Sequence, residues 1–310
     1  MANPFGLTGT QLFNRSLSLV IGVPNGPALV QADFNDSNTT GLDISGHAIS
    51  FVVDKSLVAA EPNVASIKVI NLSSTSRQAL SGVAALTVLL NAGYQGATSQ
   101  IYFAGARAAW TTREGPDYIT HIESSDTIAR PVGGVKQTKK IPPGSKTGSI
   151  YRTRGARVPI SQAFATITQS LGIGTGNLEG ALGNQTSFIG AVNGAALLGN
   201  GARRMTDLCR SCGLEWSVQD GELQLLNIGQ ALSTTLAIQL DSTTGLIGSP
   251  SVDSQGALSL TCLLIPGLAP GVLLNVNSEF VKGGYRIEKI RYEGNTAGQE
   301  WYAHITCVAY

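Results

Sequence analysis

Four cysteines and three histidines are the residues through which this 310-residue chain could bind a metal, carry redox chemistry or move a proton. Cys209-Arg-Ser-Cys212 has the Cys-x-x-Cys spacing of zinc and dithiol sites. A closed zinc site needs four ligands, and neither a second such pair nor a histidine lies near it in sequence. The two thiols also stand at i and i+3 of a helical pattern, so they read as a buried or half-buried pair. Cys262 and Cys307 fall in strand-like runs and read as core, with no disulfide expected between them. So few cysteines in so long a chain make no disulfide framework, which fits synthesis in a reducing cytoplasm.

His121 and His304 occupy matching places in a repeat described below, but no nucleophile or carboxylate recurs beside them in matching positions. Each reads as a structural residue of its own copy, and His47 offers less. Gly144-Ser-Lys146-Thr147 has residues of a phosphate-binding loop in the wrong order, with Pro142-Pro143 in front and no apolar helix directly after. Glu123 and Asp126 end a strand-like run without a clear acid/base partner, and no Gly-x-Ser-x-Gly elbow is present. The expectation is a protein without catalysis, cofactor or metal.

One further cluster is cationic. Arg130, Lys136, Lys139, Lys140, Lys146, Arg152, Arg154 and Arg157 share a segment with no acidic residue between Asp126 and Glu179. A solvated linker between domains is one reading, and a loop that orders on an acidic partner is another. Nucleic acid is a third, weakened because Tyr151 alone interleaves an aromatic ring. The formal net charge of +1 gives the whole chain no pull toward nucleic acid or an anionic membrane, and sequence-specific nucleic-acid binding is not expected.

The elements that position these residues are mostly strands. Charged residues make up 13 % of the chain, against about a quarter in ordinary domains. With 37 glycines, this suits a β-rich protein that covers its surface with neighbouring subunits. The short apolar run Leu17 to Val23 ends at Pro24-Asn25-Gly26 and reads as a strand entering a turn, not an export signal. No apolar run reaches membrane-spanning length.

Three regions follow: a first β-module over 1–128, an α+β insertion with the basic linker over 129–235, and a second β-module over 236–310. The first alternates runs such as HAISFVVDK, ASIKVINL and DYITHIES with turns, and allows a helical turn at 74–80 capped by Ser73 or Ser74. In the second, Ile160, Phe164, Ile167 and Leu171 keep helical spacing, as do Met205, Leu208 and Cys212 ahead of Gly213. Asp220-Gly221 between alternating runs predicts a hairpin.

The outer regions repeat each other. IYFAGARAAWTTREGPDYITHIES from Ile101 lies over GYRIEKIRYEGNTAGQEWYAHITC from Gly284 at a constant offset of 183. Tyr102 falls on Tyr285, Tyr118 on Trp301 and His121 on His304. Upstream, Leu90 falls on Leu273. Two copies of one module in a chain suggest pseudo-symmetry.

The ending, with Leu264, Pro266, Pro270-Gly271, Gly-Tyr-Arg-Ile, Gly-Asn-Thr and Glu-Trp, resembles the closing segment of baseplate hub proteins of contractile-tailed bacteriophages. ASIKVINLS, LLNAGYQG and IYFAGAR are similar to that family's N-terminal part, and RRMTDLCRSCGLEWSVQDGELQLL to its inserted domain. The resemblance implies a mainly β (α+β) chain with two tube-like β-barrel or sheet modules around an inserted α+β domain. It implies a homotrimer in which six modules form a ring between a hexameric tail tube and a trimeric central spike. The virion baseplate would be its place, after assembly in the host cytoplasm. The basic segment would then meet the spike, the tube or the tape-measure protein. A distal-tail or tube-initiator ring without a spike is the alternative within this class, and a cytosolic β-scaffold enzyme the alternative outside it.

Overall fold

A computed structural model describes residues 14–22, 41–59, 61–82, 86–126, 149–152, 158–183, 188–189, 196–198, 201–233 and 235–310. The chain divides into two compact units, one from Met1–Leu57, Glu61–Asp126 and Gln230–Tyr310, the other from Val58–Ala60 and Thr127–Gly229.

The first unit begins with strands β1 (Arg15–Gly22), β2 (Gly41–Asp43), β3 (Ile49–Ser56) and β4 (Val64–Ile70), then helix α1 (Ser74–Gly82). Strands β5 (Thr87–Tyr94), β6 (Ala97–Glu114) and β7 (Asp117–Ser125) follow. In β4, Ala65, Ile67 and Val69 are buried while the residues between them face out, the period-2 pattern of a half-buried strand. Ser73 Oγ accepts the Ser76 N–H at 3.1 Å, capping α1.

The second unit holds β8 (Ser149–Arg152), β9 (Val158–Pro159), α2 (Ile160–Leu171), α3 (Leu178–Leu182), β10 (Phe188–Ile189), β11 (Ala196–Leu198), α4 (Gly201–Ser211), β12 (Leu214–Gln219) and β13 (Glu222–Asn227). The apolar stripes of α2 and α4, through Phe164, Ile167, Met205 and Leu208, enclose one core with Trp216 and Leu225 of the β12–β13 hairpin. Asp220 and Gly221 both take positive φ, 54° and 81°, which the tight two-residue turn requires. Gly213, with φ 71°, follows α4 in the left-handed conformation that ends helices.

The first unit then resumes with β14 (Ala237–Leu240), β15 (Leu246–Val252), β16 (Leu258–Leu263), β17 (Leu273–Asn277), β18 (Lys282–Asn295) and β19 (Trp301–Ala309). Both parts join one 13-stranded sheet, ordered β15-β16-β19-β18-β3-β4-β7-β6-β5-β1-β2, with β17 on β18 and β14 parallel to β17. The chain is mainly β, built on a large antiparallel sheet.

Within this sheet the strand order β3-β4-β7-β6-β5 recurs as β15-β16-β19-β18-β17. Ile122 and Ile305 are matched by their neighbours, facing Ile67 and Leu260 on one side and Ala109 and Ile290 on the other. On β7 and β19 the 183-residue offset holds, whereas His121 faces Trp110 and His304 faces Arg291, an offset of 181 on the long strands. The cause is the hairpin loop. Arg113 pairs with Tyr118 and Gly294 with Trp301, so the second loop is longer by two residues. Face parity survives the slip, because a two-residue shift preserves alternation.

Candidate assembly surface

The seam between the modules is the ladder of β3 against β18, from Ser56 opposite Lys289 to Ser50 opposite Asn295. It divides the sheet into two chemically different faces. On the core side Phe51, Val53, Ile290 and Tyr292 are buried together. Trp301 is their peg: its indole meets Phe51 edge-on at 5.8 Å, its Nε1–H donates to Gly93 O at 3.1 Å, and the Arg15 guanidinium lies 5.6 Å from its ring centre. Arg15 also donates to the carbonyls of Gly298 and Gln299, both at 2.7 Å, tying β1 to the β18–β19 loop. Gly294 is required here, because a Cβ would lie 2.3 Å from the Phe51 ring.

The other face is polar. Lys289 pairs with Glu61 at 2.8 Å, Arg291 with Glu293 at 2.7 Å and with Asp54 at 3.8 Å. The Lys289 ammonium holds the Glu61 carboxyl below its ordinary pKa, although exposure to solvent keeps the pair weak. His304 accepts or donates at Nδ1 with Thr261 and has Nε2 3.6 Å from Glu293. Asp54, Glu61, Lys289, Arg291, Thr261 and His304 line an open groove of about 540 Å³, with both charge signs interleaved. Carboxylates, an imidazole and cations lie there in an open, ion-paired row, unlike the enclosed, mostly apolar setting of a small-molecule site.

The repeat positions differ in their surroundings. Trp301 is 1 % exposed, whereas Tyr118 is 39 % exposed beneath Arg77, whose guanidinium is 4.0 Å from its ring centre. Tyr102 is buried and donates to Ser124 at 3.0 Å, while Tyr285 is half-buried. His121 bonds Thr112 at 2.9 Å and stacks on Trp110, with ring centres 5.1 Å apart. The two histidines are on separate copies and face different partners.

The cysteines are free thiols. Burial pushes Cys209 and Cys307 up to about 12, and Cys262 higher still, so none is a thiolate at neutral pH. Cys212 is half-buried. Among the described residues, no group of three or more His, Cys, Asp or Glu side chains is placed to hold a metal. Glu123 is exposed and Asp126 buried, with the Asp126 N–H donating to Asn63 O at 2.8 Å. Of the basic segment, only the backbone of Arg152 is described, opposite Ala196 in the β8–β11 pair. Arg130, Lys136, Lys139, Lys140, Lys146, Arg154 and Arg157, and the Gly144–Thr147 stretch, lie outside the described residues. Sequence reasoning gave no role to Arg15 or Phe51: the one adjoins an apolar run and the other lies inside one, which marks neither as part of a seam.

No protein-family profile matches the sequence, and no curated protein matches it. Solved structures do share its architecture, a mainly β fold that resembles those of phage tail proteins. The 43 kDa tail protein of prophage MuSo2 from Shewanella oneidensis aligns over 96 % of this chain and 98 % of its own, with TM-score 0.57 and 10 % identity. A tail protein from Neisseria meningitidis MC58 aligns over 95 % and 96 %, with TM-score 0.53 and 8 % identity. A component of the E. coli type VI secretion system, which exhibits structural similarity to bacteriophage T4 tail proteins, aligns over 85 % and 74 % at TM-score 0.50 and 8 % identity. At such identities the likeness is one of fold. Among the described residues no helix is long and apolar enough to cross a membrane.

Proposed function

We propose that this chain is a structural, non-enzymatic component of a phage-type tail, and within it a baseplate hub. Three copies form a ring of six modules that seats a trimeric central spike on one side and starts the hexameric tail tube on the other. The observation that carries this reading is the recurrence of one strand order, edge to edge, in one sheet of one chain. The seam already contains a heterologous module–module contact, the kind of interface that closes rings. The fold shared with a prophage tail protein, and with a secretion component similar to phage T4 tail proteins, supports the same reading. The mixed-charge polar face of the sheet suits a hydrated lumen better than a catalytic cleft. The basic segment is proposed as a contact for an acidic surface of the spike, the tube or the tape-measure protein.

Native mass spectrometry of the full chain, alone and with its cognate spike, tests this reading. Trimers of the 32.2 kDa chain in either sample are the expected result. Hexamers without spike binding would favour the distal-tail or tube-initiator ring. Monomers in both would refute the hub.

A further inference from the structure

The two long middle strands differ in one respect. Residues 282–286 of β18 pair with β17, and residues 289–295 of the same edge pair with β3. On β6 the corresponding first half pairs with β5 up to Gly105, and the Ala106 N–H donates to Leu86 O at 2.7 Å. From Ala108 to Glu114 the strand pairs with β7 on one side. Its other edge has no strand partner among the described residues. The far end of the sheet holds a second such edge, because among the described residues β15 pairs with β16 alone. In the repeated order β15 stands where β3 stands, and β6 where β18 stands.

Building on the trimeric reading above, we propose that β15 of one copy pairs antiparallel with the free half of β6 in the next copy. This repeats between chains the junction that β3 and β18 make within one. Each chain offers one edge of each kind, so an open dimer still has both ends free and the arrangement continues until it closes.

The cross-strand partners set the register. Val53 and Val252 are matched through Ala65 and Leu258, and Tyr292 and Thr111 through Ala303 and Thr120. The internal pair Val53–Tyr292 therefore becomes Val252–Thr111 between copies, and Val52–Glu293 becomes Ser251–Thr112. Hydrogen-bond direction agrees. Leu57 N–H donates to Glu288 O and Thr296 N–H to Ile49 O, so odd-numbered residues of β3 bond to β18 in the alternating ladder. On β15, the Asp253 N–H turns inward to Ala257 O, which turns the amide of Val252 outward, as for Val53.

Side chains at the two edges add an independent observation. Val252 is 55 % exposed, Trp110 40 % and Ile247 38 %, and Tyr118 is also half out of the core that encloses its counterpart Trp301. Large apolar groups left in water at two complementary edges fit a contact that covers both. Gly248 at φ 67° and Pro250 bulge β15 between Ile247 and Ser251. Such an edge resists indiscriminate strand addition and favours a partner shaped to it.

The test is a double variant of the full chain, T112C/S251C. The matched positions form a non-hydrogen-bonded pair, where Cα atoms approach to about 4.5 Å and a disulfide fits. Mild oxidation should give a non-reducing gel ladder that stops at covalent trimer, while a mixture of the two single variants should stop at dimer. A second variant, V252K, should abolish the trimer on native mass with the circular dichroism spectrum and melting temperature of the monomer unchanged. Trimers that form no T112C/S251C cross-link and survive V252K would overturn this edge assignment while leaving the hub reading standing. Monomers under every condition would overturn both.

Discussion

Trp301 and Tyr118 occupy matching ends of β19 and β7, yet the seam makes their contributions unequal. Trp301→Ala empties a fully buried site between Phe51, Arg15 and β5, and leaves Gly93 O without its indole donor. Removing a buried aromatic costs about 3–5 kcal/mol. Loss of the indole hydrogen bond to Gly93 O, a carbonyl that also lies in the β1–β5 ladder, adds about 0.5–1.5 kcal/mol. Relaxation of the loop at Gly298 would recover part of this, so a loss of about 4–6 kcal/mol is expected for the sheet unit. Tyr118→Ala loses a half-exposed ring and its cation–π contacts with Arg77 and Arg113, about 1–2 kcal/mol in all. Urea unfolding by circular dichroism, at one protein concentration too low for assembly, measures both. Trp301→Phe separates packing from the hydrogen bond and should lose only about 1–2 kcal/mol. Equal losses for the two alanine variants, or a loss below about 1 kcal/mol for Trp301→Ala, would refute the claim that the seam is the keystone of the sheet.

Gly294→Ala should destabilise the same unit by about 1–3 kcal/mol, because the new methyl must displace the Phe51 ring in a closed seam; a neutral result in thermal denaturation would count against that packing. In the folded protein one thiol, Cys212, should react promptly with a disulfide reagent while Cys209, Cys262 and Cys307 react only on unfolding; prompt reaction of two or more would contradict their burial. The buried thiols also set an alkaline limit. Their folded pKa values are raised, so the stability they contribute is whole below the unfolded thiol value of about 8.5 and is lost as pH rises toward about 12. Each such thiol should cost about 1.4 kcal/mol per pH unit in that window, and Cys307→Ala should flatten the fall in melting temperature between about pH 9 and pH 10.

Much of the local architecture was legible in the residues. The helical stripes through Phe164 and Met205, the Asp220-Gly221 turn and the alternating strands depend on neighbours within a few positions, where spacing reports geometry directly. The repeat of a hairpin was legible too, through the matched ends of β7 and β19, though not the order of the strands around it. The two-residue slip on the long strands was not, because an ungapped comparison cannot sense that one hairpin loop is longer. Nor was the β3–β18 seam. Alternation in ISFVVDKS and IEKIRYEG tells which side chains face the core, but not which distant strand lies alongside. The burial of Trp301 and exposure of Tyr118 follow from that seam, so they were equally hidden. The basic segment remains a charge pattern, outside the described residues but for the backbone of Arg152.

The central claim is that six related modules from three chains surround one axis. Electron microscopy of the purified assembly tests it most directly. The account predicts end-on averages with six similar lobes that reduce to true threefold symmetry at higher resolution. A ring of six whole chains, or particles without a central axis, would contradict it.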